Sequence, residues 1–233
     1  MALRVGRAPG MSANWARAWL RASAAAVHRE SAWLTGLDAA IGDGDHGINL
    51  DRGFGQVVAR LDAGDPPAAT AGALLAQAGR VILGSVGGAS GALYGRAFQR
   101  AGESLDAPNG PVSPAGALPG QDPTVWTLVR ALGAATDAIA ALGRSGPGDK
   151  TMLDALLPAV AALRTSALAG HDLPDALRQA AEAAERGLEA TRPLVARRGR
   201  ASYLGERSAG HLDPGAASSL LLVRALAETI ADR

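Results

Sequence analysis

Apolar residues recur at helical spacing along most of this chain, and no convincing run alternates β-branched with polar residues as a half-buried strand does. Only 3% of the residues are aromatic, whereas 48% are hydrophobic. The core must therefore be built from Ala, Leu and Val. Side chains of that kind favour close-packed helices over sheets, so the chain reads as all-α.

The helices can be placed from caps and breakers. Ser12 or Asn14 caps a first helix running through Trp33, with Trp15, Trp19, Ala22, Ala26 and Trp33 at roughly helical spacing. A second helix runs from Gly47 or Ile48 to Leu61, a third from about Ala68 to Leu83, and a fourth from about Ala89 to Ala101. Residues 106–123 carry Pro108, Pro111, Pro114, Pro119 and Pro123 among glycines, and read as an exposed, flexible insertion loop. A fifth helix covers about Thr124 to Leu142. A sixth extends from Lys150 to about Ala167 with a kink at Pro158. A seventh covers Leu173 to Ala190, with Asp172 as cap and Pro174 in its first turn. A short piece is expected near Pro193 to Arg197, and a last helix follows Pro214 to about Ala231. No domain-scale linker and no internal repeat interrupts the 233 residues, so 1–233 reads as a single domain of about eight helices.

Bulk properties exclude several classes of function. The net charge is +1, from 23 basic and 22 acidic residues. That balance offers no electrostatic reason to expect nucleic acid or an anionic membrane. The first residues, Met1 to Arg7, lack an apolar stretch of signal-peptide length. No uninterrupted apolar run approaches the ~18 residues of a membrane span. The absence of cysteine rules out disulfides, thiolate metal sites and a Cys nucleophile, and is compatible with a cytoplasmic protein.

Ligand chemistry is concentrated between Asp38 and Asn49. Asp38, Asp43 and Asp45 lie within eight positions, set among Gly42, Gly44 and Gly47, with His46 and Asn49 just beyond. Carboxylate oxygens are hard ligands suited to Mg²⁺ or Ca²⁺ rather than Zn²⁺, and the glycines let the backbone bend so that the acids converge. An EF-hand register counted from Asp43 fails: Ile48 stands where that loop needs glycine and Phe54 where it needs a bidentate Glu. The remaining alternative is a solvated acidic turn. The three acids beside His46 and Asn49 favour a metal site, in which carboxylates hold Mg²⁺ and the Mg²⁺ holds phosphate.

Three further loops precede helices. Helix N-termini present unpaired N–H groups and the positive end of the macrodipole to anions, so Gly84 to Gly91 suits phosphate, with Ser85 and Ser90 as hydroxyl donors. Tight helix packing at glycine explains that stretch equally well. The stretch Gly143 to Met152 resembles a P-loop only superficially, because Asp149 interrupts it. Lys150 could reach a phosphate or be a solvated helix-start residue, and Gly143 and Met152 could flank an adenine ring. In the polar loop from Arg197 to Gly215, Arg200 suits phosphate, Arg197 and Arg198 read as a surface basic cluster, and Asp213, Pro214 and Gly215 could simply cap the last helix. His28 and His171 read as structural or surface residues. In an antiparallel bundle these loops would fall at one end and could meet around one ligand.

Together the stretches from Leu34 to Asn49, Ser85 to Gly91, Pro147 to Met152, Arg198 to Arg207 and His211 to Gly215 resemble, in the same order, the nucleotide-binding L subunit of dihydroxyacetone kinases. The resemblance implies a barrel of eight antiparallel helices with the nucleotide at one end. It implies that Asp38, Asp43 and Asp45 hold two Mg²⁺ ions bridging the phosphates of ADP or ATP. His46, Gly47, Ile48 and Asn49 match phosphate-binding positions, as do Ala89 and Ser90. Gly143, Met152, Arg200, Asp213, Pro214 and Gly215 match the other nucleotide contacts.

The implied activity is transfer of the terminal phosphate to dihydroxyacetone on a separate K subunit, so the chain is expected to be inactive alone. The implied donor is a phosphotransferase-system protein that rephosphorylates ADP in place. The alternatives are direct use of ATP toward another ketose or related acceptor, and a non-enzymatic ADP-dependent regulator of a transcription factor. A homodimer is compatible with the sequence.

Overall fold

The computed structural model describes residues 11–64, 70–107 and 122–231, and every regular element among them is helical. The elements are α1 (Ala13–Arg29), α2 (Ser31–Ile41), α3 (His46–Ala63), α4 (Ala71–Ser85), α5 (Gly88–Asp106), α6 (Pro123–Gly143), α7 (Leu153–Ala169), α8 (Leu173–Ala190), a 3₁₀ segment (Arg200–Ser208) and α9 (Pro214–Ala231).

Caps set most of these boundaries. The Ser12 hydroxyl accepts from the Trp15 backbone N–H at 3.2 Å and starts α1. Asp122 does the same for Thr124 at 2.7 Å before α6, and Asp172 for Asp175 at 3.0 Å before α8. Each satisfies an N–H that the helix itself leaves unpaired. Pro158 lies inside α7 without ending it. The expected start of the third helix at Ala68 falls outside the described residues, as do residues 108–121 of the expected loop. Thr70 caps α4 through a bond to Ala73 N.

Two expectations need correction. The first helix does not continue through Trp33. Glu30 departs from helical geometry (φ −100°, ψ 8°), and the chain re-enters a helix at Ser31. Asp38 therefore sits on the last turn of a helix rather than in a loop. No helix forms over Pro193–Arg197 either. The helical turns come later, as two 3₁₀ pieces across a kink at Gly205, whose φ of 54° and ψ of −131° are open to glycine.

The helices pack in a ring. Starting from α1, the order of neighbours is α3, α4, α5, α6, α7, α8 and α9, and α9 closes back onto α1. The remaining helix, α2, packs mainly against α3 and α9. The contact between α4 and α5 shows how closely two backbones approach. A Cβ added at Gly79 would lie 2.5 Å from the Gly95 carbonyl oxygen, and one added at Gly95 would lie 2.9 Å from the Gly79 carbonyl oxygen. Gly72 and Gly102 face each other in the same way one heptad further on, in the register of antiparallel neighbours.

Inside the ring four aromatics, Trp15, Trp19, Phe54 and Phe98, cluster. Trp15 stacks on Trp19, with centroids 5.6 Å apart, and Phe98 lies against both Trp19 and Phe54. Alanine fills the tighter contacts between α7, α8 and α9, where Ala155, Ala176, Ala180, Ala184, Ala216 and Ala217 are all fully buried. The helix α6 is long and apolar enough to cross a membrane by length and composition. In this fold it packs between α5 and α7 and buries Val125, Leu128, Val129 and Ile139.

Candidate functional site

The antiparallel ring brings the N-termini of α3, α5, α7 and α9 to one end, and there they surround a cavity of about 640 Å³. Its walls come from four separated parts of the chain: the acidic stretch, the Gly87–Leu93 turn, the segment from Gly143 to Met152, and the polar stretch from Arg197 to Gly215. The expected meeting of these loops is thus realised. Four positive dipole ends aimed at one space favour an anion there.

Asp38 lies on the last turn of α2, and Asp43 and Asp45 lie in the link to α3. Gly44 adopts φ 74°, which turns the link back so that the three carboxylates each place an oxygen within 4.8 Å of the others. The Asp38 carboxylate also accepts from the backbone N–H groups of Asp45 at 2.9 Å and His46 at 3.2 Å. It is therefore held by the N-terminus of α3 while keeping a second oxygen free to act. Asp43 and Asp45 are exposed. Arg200 reaches across from the 3₁₀ segment to Asp43 at 3.2 Å, so the site's own geometry already draws a cation to the acids. Three convergent carboxylates, two of them exposed, fit a hard divalent ion such as Mg²⁺.

His46 stands beneath the acids and is 6% exposed. Its Nδ1 is 3.0 Å from the Ser90 hydroxyl in the first turn of α5, and its Nε2 is 2.9 Å from the Ser218 hydroxyl in α9. The Tyr94 hydroxyl continues the network at 2.7 Å from Ser218 and 2.8 Å from Ser219. Burial lowers the His46 pKa against the pull of Asp38 and Asp45, so the imidazole is kept toward its neutral form. Burial also pushes the Tyr94 phenol up to about 12, which keeps it a hydroxyl.

The cavity lining includes Asp38, Asp43, Asp45, His46, Asn49, Ala89, Ser90, Gly143, Met152, Arg200, Asp213, Pro214 and Gly215. It does not include Gly47 or Ile48. Helical periodicity puts His46 and Asn49 on one face and turns the two residues between them away. Gly47 packs on the Ser31 carbonyl and Thr35 of α2, and Ile48 is 57% exposed. Asp213 is buried, caps α9 through a bond from Ala216 N at 2.7 Å, and has its pKa raised by burial to about 7.

Lys150 differs from both sequence-based expectations. It is neither solvated nor extended toward a phosphate, although it is among the residues that line the cavity. The residue is 1% exposed and its ammonium donates to the carbonyls of Thr191 at 2.8 Å, Leu194 at 3.1 Å and His211 at 2.5 Å. Arg197 and Arg198, read as a surface cluster, line the cavity rim, and Arg198 pairs with Asp149 at 3.6 Å. Ile41, Leu93 and Ile139 add an apolar wall beside Met152. These three carry no local pattern that separates them from ordinary core residues. His28 behaves as expected, an exposed side chain paired with Asp51.

A family model for the DAK2 domain matches residues 40–228, the span that contains all four loops except Asp38 itself. The chain belongs to the DAK2 domain family. Among relatives of this DAK2 chain is the PEP-dependent dihydroxyacetone kinase, ADP-binding subunit DhaL, of Escherichia coli (strain K12), 41% identical over 210 residues covering 90% of this chain and 93% of the relative. The PTS-dependent dihydroxyacetone kinase, ADP-binding subunit DhaL, of Lactococcus lactis subsp. lactis (strain IL1403) is 32% identical over 91% of this chain and 95% of the relative. The DAK2 fold also superposes on the crystal structure of the dihydroxyacetone kinase from C. freundii in complex with AMP-PNP and Mg²⁺, with a TM-score of 0.65 and 27% identity. That match covers 98% of this chain and 36% of the C. freundii protein, so the chain spans about a third of that kinase's length.

Proposed function

We propose that the chain is the Mg²⁺-dependent phosphoryl-donor subunit of a dihydroxyacetone kinase. It holds ADP or ATP and passes the terminal phosphate to dihydroxyacetone carried on a separate K subunit. The observation that carries this reading is the convergence of Asp38, Asp43 and Asp45 beside a cavity ringed by four helix N-termini. The names of the relatives, which are ADP-binding kinase subunits, and the AMP-PNP and Mg²⁺ complex of the C. freundii kinase support it.

In this reading Asp38, Asp43 and Asp45 hold two Mg²⁺ ions, which supply charge neutralisation for the phosphoryl group in transit. The N-termini of α3 and α5 hold the phosphates through backbone N–H groups and the Ser90 hydroxyl, with His46 and Asn49 alongside. Gly143, Met152 and the turn of Asp213, Pro214 and Gly215 hold the nucleoside against the apolar wall. Arg200 exchanges Asp43 for phosphate, whose oxygens suit its planar fork. Dihydroxyacetone and its acceptor base belong to the K subunit, so the isolated chain transfers no phosphate. Residues 1–233 act as one domain, and the cysteine-free sequence suits a reducing cytoplasm.

The relatives described as PEP- and PTS-dependent support a retained ADP that is rephosphorylated in place by a phosphotransferase-system protein. The test is to purify the chain, heat-denature it and assay the supernatant. Stoichiometric ADP with about two Mg²⁺ is expected. Empty protein that binds ATP on addition would instead show direct ATP use. No nucleotide binding with or without Mg²⁺ would overturn the reading.

A further inference from the structure

Lys150 is fully buried, yet its three ammonium protons all meet main-chain carbonyls from one distant segment, Thr191, Leu194 and His211. A neutral amine offers only two N–H donors and would turn a lone pair toward the third carbonyl, so three acceptors at these distances favour the charged form against the burial that lowers its pKa. Thr191 is the C-cap of α8, where the negative end of the helix dipole adds to the attraction. The Lys150 backbone adopts φ 60°, a conformation that side-chain-bearing residues rarely hold unless their surroundings impose it.

The three carbonyls lie near the two ends of the stretch that carries the cavity's arginines. Thr191 and Leu194 lie before Arg197, Arg198 and Arg200, and His211 lies after them. Other bonds close the same base: Gly210 N to the Arg192 carbonyl at 2.7 Å, Asp213 N to the Thr191 hydroxyl at 3.0 Å, and Arg197 N to the Asp149 carbonyl at 3.0 Å. Between these anchors the tip is exposed, with Tyr203 89% exposed and Arg200 68% exposed. The tip also meets α2, with Arg200 paired to Asp43, but the hydrogen bonds that hold the arm to the body of the fold lie at its base, so the base sets its aim.

We propose that Lys150 is a positioning residue. Its buried ammonium ties the two ends of the 191–213 segment together and so aims Arg200, and the turn at Asp213, at the carboxylates of Asp38, Asp43 and Asp45. The part of this that concerns nucleotide rests on the function proposed above, whereas the part that concerns the segment does not.

The test uses the full chain with Lys150→Met, and with Lys150→Cys before and after aminoethylation of the unfolded chain followed by refolding. The chain has no other cysteine, so alkylation rebuilds a lysine analogue at one position. Two readouts are followed. One is the rate of tryptic cleavage at Arg197, Arg198, Arg200 and Arg207, which needs no ligand. The other is the affinity for Mg²⁺–ADP.

Lys150→Met should speed cleavage in this segment and weaken Mg²⁺–ADP binding about tenfold or more, as loss of a supporting partner does at other sites. Helicity should stay native, and aminoethylated Lys150→Cys should recover both values. In an Arg200→Ala background, Lys150→Met should add less to the binding loss than it does in the wild type, because part of its effect runs through Arg200. Wild-type cleavage and affinity in Lys150→Met, additive losses with Arg200→Ala, or global unfolding of both the Met and the unmodified Cys variants would overturn the proposal. Failure of the wild-type chain to bind Mg²⁺–ADP would strike the proposed function and leave the cleavage readout to decide the role of Lys150 in the segment.

Discussion

His46 Nε2 lies 2.9 Å from the hydroxyl of Ser218, although the two residues are 172 positions apart. The contact joins the first turn of α3 to the second turn of α9 and, through Ser90, to the first turn of α5. The Tyr94 hydroxyl lies behind it, within 2.8 Å of both Ser218 and Ser219. A buried polar cluster of this kind is stabilising only while each member keeps a partner.

Tyr94→Phe should therefore destabilise the fold by about 1–3 kcal/mol, because it leaves buried hydroxyls with one partner fewer. Urea denaturation measures this. An unchanged midpoint would show that the network carries no net stability.

Asp43→Asn or Asp45→Asn should abolish Mg²⁺-dependent retention of ADP while leaving far-UV helicity intact, since both residues are exposed and outside the core. Nucleotide content of the purified variants is the measurement, and wild-type content would sink the metal assignment.

Arg200→Ala should weaken phosphate transfer to dihydroxyacetone on a K partner far more than it lowers the melting temperature. Its ion pair with Asp43 is solvent-exposed, and pairs of that kind contribute about 0–1 kcal/mol. A variant that simply fails to fold would argue against a binding role.

The Asp213 carboxyl titrates at about 7 in the folded chain against 3.8 for the ordinary group. The native state thus holds this proton more tightly than the unfolded state does. Stability should be lost as pH rises from about 4 to about 7 and then level off, by at most about 1.4 kcal/mol per pH unit for one proton. Asp213→Asn should remove that slope. Parallel stability–pH curves for wild type and variant would contradict the assignment.

Two glycine substitutions should act in opposite directions. Gly95→Ala forces a Cβ to within 2.9 Å of the Gly79 carbonyl oxygen and should cost about 1–3 kcal/mol through overpacking. Gly133→Ala in α6 meets nothing within 4 Å and should stabilise by roughly 0.5–1 kcal/mol, because alanine loses less conformational freedom in a helix. Thermal melts of the pair separate the two cases.

Much of this molecule is legible in short-range pattern. The Leu173–Ala190 helix, with its Asp172 cap and Pro174, stands where it was expected, and so does the Pro214–Ala231 helix. The acidic stretch was legible for the same reason, since three carboxylates among glycines form a local signal. The break at Glu30 was not, because apolar spacing continues across it and only the backbone changes direction. Gly47 and Ile48 were matched to phosphate by their place in a motif. Their side-chain faces turn away from the cavity, so a contact of theirs with phosphate would run through the backbone N–H groups at the start of α3. Ile41, Leu93 and Ile139 escaped notice because an apolar residue lining a cavity looks in sequence like any residue of a core.

The sequence by itself determined that the chain is helical, where most helices begin, and that its clustered carboxylates lie between Asp38 and Asn49, because periodicity, capping and carboxylate spacing are all local. Tertiary structure decided the rest. Closure of an antiparallel ring placed four helix N-termini at one end. It also joined His46 to Ser218, and it buried Lys150 under carbonyls from a segment 41 to 61 residues away. Those outcomes depend on which surfaces meet when the ring closes, and no window along the chain contains both partners.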